Sequence, residues 1–91
     1  METFIAHRVS HEDNVLYPDI VEIDVDRVLL TKCYVFGHKT TTILFQNIAS
    51  VYLREGILFA DVCIETTGGA KYVSEGFRKK DARQIEKILT N

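Results

Sequence analysis

Apolar and polar positions along this chain change period once, and that change divides it into a β-rich body and a helical tail. From Ile20 to Asp26, Val21, Ile23 and Val25 alternate with Glu22, Asp24 and Asp26, the period of two expected of a half-buried strand. Asp26-Arg27 predicts a tight turn into a strand over Val28 to Phe36, with Val28, Leu30, Tyr34 and Phe36 on one face and Leu29, Thr31, Cys33 and Val35 on the other. Gly37-His38-Lys39 predicts a hairpin loop, glycine supplying the positive φ that short loops need. Thr40 to Leu53 then organises the rest. Its three threonines followed by Ile43-Leu44-Phe45 resist a helix, because β-branched side chains crowd the preceding turn. Gln46-Asn47 breaks the alternation, and Ile48 and Val51, three apart, share one side only across a short turn or bulge. The structural corner is therefore expected at Asn47, Ile48 and Val51.

Beyond the turn signal Glu55-Gly56, Leu58, Ala60, Val62 and Ile64 alternate with Phe59, Asp61, Cys63 and Glu65 in the longest strand expected. Thr67-Gly68-Gly69 predicts a second hairpin, leading to a short strand over Ala70 to Glu75. From Lys79 the period lengthens: Ala82, Ile85, Ile88 and Leu89 fall at i, i+3, i+6 and i+7, which predicts an amphipathic helix over 79–90. Residues 1–19 are the least regular. A short strand over Thr3 to Val9 is expected there, then a loop closed by Pro18.

The chain has 91 residues, a length that fits a single domain with one modest core, burying roughly 60 % of the unfolded surface. A single domain over 1–91 is expected. Eleven Lys and Arg against thirteen Asp and Glu give a formal charge of -2, so no global field draws the protein to nucleic acid or an anionic bilayer. Arg78-Lys79-Lys80 with Arg83 and Lys87 makes a basic helix edge, but Asp81 and Glu86 temper it and no aromatic platform adjoins it. Nucleic acid is disfavoured. Cys33 and Cys63 lie outside any CxxC pair, which points to a reducing, cytoplasmic setting. The start METFIAHRVSHEDN has no apolar signal core, and no run reaches the roughly 18 apolar residues of a membrane span.

Candidate chemistry is sparse. His7 and His11 stand four apart, a spacing that can ligate a metal on a helix, but no helical pattern surrounds them and no third ligand is evident. The acidic row Glu22, Asp24, Asp26 follows strand alternation, and Gly68-Gly69 lacks the helix that a phosphate loop requires. No nucleophile elbow, metal motif or cofactor motif is present. A non-catalytic protein without a cofactor is expected.

The order of six or seven strands and one terminal helix resembles the bacterial pleckstrin-homology-like domains. The resemblance rests on Thr41-Thr42-Ile43 through Asn47-Ile48-Ala49-Ser50-Val51, Gly56, the strand ending Ile64-Glu65-Thr66, and the Lys80-Asp81-Ala82 to Ile85 and Ile88 pattern. It covers roughly residues 20 to 90 and implies two roughly orthogonal antiparallel sheets capped by the C-terminal helix, with Ile48 and Val51 in the core where the sheets meet. It also implies assembly as homo-oligomers in some members and no general enzymatic activity.

Two functions are weighed on this footing. The first is a protein-interaction or self-assembling scaffold domain, a homo-oligomer, with Tyr52 and Phe59 as interface anchors because alternation puts both rings on solvent faces. The alternative is weak peripheral binding of an anionic lipid headgroup by Lys32, His38 and Lys39 around the Gly37 hairpin.

Overall fold

A computed structural model describes residues 2–6, 19–34 and 37–90. Seven strands and one helix follow in order: β1 (Glu2–Ile5), β2 (Ile20–Ile23), β3 (Arg27–Tyr34), β4 (Gly37–Leu44), a 3-10 turn (Phe45–Asn47), β5 (Ile48–Glu55), β6 (Phe59–Thr66), β7 (Lys71–Arg78) and α1 (Lys79–Thr90). They form a four-stranded antiparallel sheet in the order β1-β2-β3-β4 and a three-stranded one in the order β5-β6-β7. The 3-10 turn lies between the last strand of the first sheet and the first strand of the second, at the interruption read in Gln46-Asn47.

The buried faces meet in one core. Val21 opposite Leu30, and Val28 opposite Ile43, supply it from the first sheet. Ala60, Val62, Ile64 and Phe77 supply it from the second, and Ala82 and Ile85 of α1 complete it. Ile48, Val51 and Leu53 are half-buried and pack against that cluster. The helix packs on β5, β6 and β7. Its stripe at 82, 85, 88 and 89 is the expected one, with Ile88 and Leu89 half-buried against the core.

Several expectations change. His38 and Lys39 do not form a loop: they pair with Cys33 and Lys32 inside the β3–β4 ladder, which begins at Gly37 with φ +142°. The expected strand ends Val35 and Phe36 lie outside the described residues. The acidic strand ends at Ile23, because Asp24 closes a turn by donating its N–H to the Arg27 carbonyl (2.8–2.9 Å contacts include the Val25 N–H on Asp24 Oδ1), and Val25 is left exposed. Leu58 likewise leaves the core face for the β5–β6 loop. β7 runs on to Arg78 by means of a bulge, in which Glu75 and Gly76 together oppose Asp61. Gly76 holds φ +85° there, and its N–H donates to Asp61 Oδ1 at 3.1 Å. Cys63 is fully buried, flanked across the ladder by Tyr52 and Val73. β1 is described as far as Ile5, and the His7 and His11 pair lies outside the described residues.

Candidate functional site

The inward face of the first sheet starts apolar and ends cationic. Along β3 it runs Val28, Leu30, Lys32, and along β4 it runs Ile43, Thr41, Lys39, with Lys32 and Lys39 directly opposite in the ladder. Side chains two apart on a strand share a face, so the two ammonium groups stand where the core pattern would continue with apolar residues. Like charges directly opposite repel.

One carboxylate offsets part of that repulsion. Asp19, only 3 % exposed, accepts from Lys32 Nζ at 2.8 Å and from the Glu75 N–H at 2.9 Å, both through Oδ2. A buried carboxylate is tolerated only when paired and hydrogen-bonded, and these partners come from different sheets. Asp19 therefore ties the entry of β2 to β3 and to β7. The Asp19 carbonyl also accepts the Ala6 N–H at 2.8 Å. Lys39 makes no ion pair among the described residues, and its side chain is exposed.

Lys32 and Lys39 line a cleft of about 150 Å³ with Leu30, Thr41, Tyr72, Val73 and Ser74. Ser74 is 4 % exposed, and its hydroxyl has no hydrogen-bond partner among the described residues. Such a group ordinarily finds a partner. A second cleft of about 360 Å³, lined by Thr42, Ile43, Asn47, Thr66, Thr67, Gly68 and Tyr72, adjoins the first through Tyr72. Each cleft has one wall from β4 and the other from the β6–β7 hairpin. The outer edge of β4, unpaired among the described strands, thus runs along a groove.

That edge differs from the other three. β1 has four residues, β5 carries a register shift between Ile48 and Ser50, and β7 carries the Glu75–Gly76 bulge. Short length and bulges are devices that stop an edge from recruiting another strand. β4 has eight residues paired with β3 without a shift, and Gly37 to Thr40 and Thr42 are exposed.

The other expected site residues are dispersed. His38 is exposed and pairs with Cys33 on the opposite face from the two lysines, so the three basic residues do not converge. Tyr52 is half-buried with Lys71 Nζ 5.6 Å from its ring centroid, a cation–π contact that occupies one face of the ring. Phe59 is half-buried opposite Arg78. Neither is a freely exposed aromatic. Asn47 is exposed in the 3-10 turn, and its carbonyl accepts the Thr67 N–H at 2.9 Å, linking the corner to the β6–β7 turn. Of the basic helix edge, Arg83 is engaged by Glu55 through two contacts of 3.1 and 3.2 Å, and this hydrogen bond holds the Glu55 carboxyl below its ordinary value.

Asp19, Ser74 and Ile57, the last 92 % exposed, were not singled out from the sequence, and Leu58, 73 % exposed beside it, is the residue that alternation had put on the core face. Alternation put Ser74 on no particular face because the bulge beside it had no sequence signal beyond Gly76. Asp19 sits just before its strand, where periodicity says nothing.

Among the described residues no group of three or more His, Cys, Asp or Glu converges on a metal position, and no helix is long and apolar enough to cross a membrane. Two antiparallel sheets, one terminal helix and an open groove define a small mainly-β domain of the pleckstrin-homology-like class. The family model described as bacterial PH domain matches residues 5–91, and the chain belongs to that family. Comparison with curated proteins and with solved structures gave no match. Domains of this class are generally non-catalytic binding modules.

Proposed function

We propose that this chain is a non-catalytic protein-interaction module that receives an extended partner segment on β4. The carrying observation is the regular, exposed eight-residue edge, the one edge of four among the described strands without shortness or a bulge to blunt it. A segment added there gains main-chain hydrogen bonds along the strand, while alternate side chains face the groove. A second copy satisfies the same edge, since β4 against β4 of another chain would join two four-stranded sheets into one. This retains the scaffold reading and moves its surface from Tyr52 and Phe59 to β4. Free Cys33 and Cys63 support a reducing, cytoplasmic setting.

The headgroup reading is weaker. Each basic residue near an anionic surface contributes about 1 kcal/mol, and Lys32 is already paired with Asp19. Peptide selection from a random display library, followed by amide exchange measured by NMR, tests the proposal. Selected peptides should slow exchange within Gly37–Leu44. Protection confined to another segment, such as the Ile57-Leu58 tip, would refute it. Light scattering across a concentration series separates the partners: a dimer with the same β4 protection assigns the edge to a second copy, and a monomer assigns it to a different protein.

A further inference from the structure

We propose that the segment docked on β4 carries an acidic side chain, whose carboxylate seats in the cleft between Lys39 and Ser74. The inference rests on the β4 reading above and names the chemistry of what occupies it. A strand added to an edge lies about 4.8 Å away and presents alternate side chains to each face. The side chain it places beside Lys39 and Thr41 on the inward face therefore points between the sheets, into the cleft lined by Lys32, Lys39 and Ser74.

Charge and hydrogen bonding favour a carboxylate there. Two lysines and one aspartate leave a net charge of +1 (2 − 1) at the cleft, and Lys39 supplies it, since Lys32 is held at 2.8 Å by Asp19. One monoanion neutralises that charge. It also relieves the repulsion between opposed Lys32 and Lys39 and gives the buried Ser74 hydroxyl an acceptor. A phosphorylated side chain carries about −1.5 to −2, more than the cleft can neutralise. Asp19 beside Lys32 would repel the excess.

The test uses the full chain and three capped peptides of alternating Thr and Val that differ only in a central inward-facing residue: Glu, Gln or phosphoserine. Binding is followed by NMR titration with amide exchange on β4. The Glu peptide should bind about tenfold more tightly than the Gln peptide, the factor one charge-assisted hydrogen bond supplies. In K39Q, with cooperative unfolding verified, the two should bind alike, and Ser74→Ala should narrow the difference. Equal binding of Glu and Gln peptides with β4 protected would overturn the acidic occupant and leave the edge reading intact. If no peptide protects β4, the edge reading itself fails. Tighter binding of the phosphoserine peptide would replace the carboxylate with a phosphopeptide, and Lys39-dependent binding to phosphatidylserine vesicles without peptide binding would overturn both.

Discussion

Replacing Ile85 by Ala should be among the most damaging single changes in this protein. Ile85 is fully buried on the inner side of α1, which packs on all three strands of the second sheet. Removing a buried Ile side chain down to Ala costs about 2–5 kcal/mol, the spread reflecting how far the neighbours collapse into the space. Here the helix lies on three strands tied to one another through the central β6, so little collapse is expected. The better helix propensity of Ala returns at most about 0.7 kcal/mol. A net loss of about 3 kcal/mol is therefore expected, a large share of the 5–15 kcal/mol typical of a domain. With an unfolding entropy of about 2.1 cal/mol/K per residue over 91 residues, the midpoint should fall by about 15 °C. Urea denaturation followed by far-UV circular dichroism measures it, with Lys87→Ala on the exposed side of the same helix as the reference, expected within about 0.5 kcal/mol of the parent. If Ile85→Ala loses less than about 1 kcal/mol, or no more than Lys87→Ala, the helix does not close the core and the packing described above is wrong.

Two further changes probe the bulge and the helix edge. Gly76→Ala forces a Cβ into a backbone with φ +85° beside the Asp61 hydrogen bond and should cost about 1–2 kcal/mol in the same assay; a neutral result would mean that β7 can run through residue 76 without its bulge. Glu55 titrates below its ordinary value of 4.5 because Arg83 hydrogen-bonds the charged form, so the ionised pair contributes stability above pH 4.5 that is lost as pH falls through the lowered folded value. Glu55→Gln should therefore flatten the acid limb of a stability–pH profile slightly, the effect being small for so exposed a pair, and an unchanged limb would show that the pair does not persist in solution.

Strand and helix were legible wherever one periodicity acted alone. The alternation from Val21 to Ile23 and from Ala60 to Ile64 marked core strands, and the i, i+3, i+6, i+7 spacing placed α1, because burial on one face leaves a repeat that any unbroken element displays. The β-rich run broken at Gln46-Asn47 likewise marked the passage from one sheet to the other. The hairpin pairings and the irregularity near Ile48 were legible too, but register and the bulge at Gly76 were not. A glycine signals a turn equally well at its first or last position, which is why Gly37 opens β4 instead of heading a loop, and Val25 and Leu58 fit an alternation that stops after Ile23 and starts only at Phe59. Of the candidate site, Lys32 and Lys39 were named from the sequence, but their arrangement and their partners belong to this second kind of information. Lys32 and Lys39 face each other because β3 and β4 pair in one register, Asp19 reaches Lys32 across 13 positions and the Glu75 amide across 56, and Ser74 enters the cleft because the second sheet folds over the first. The chain's local chemistry decided which segments extend and which coil. Only the packing of two sheets decided that two lysines, a buried aspartate and a buried serine meet along β4, since contacts between residues distant in sequence leave no periodic trace in it.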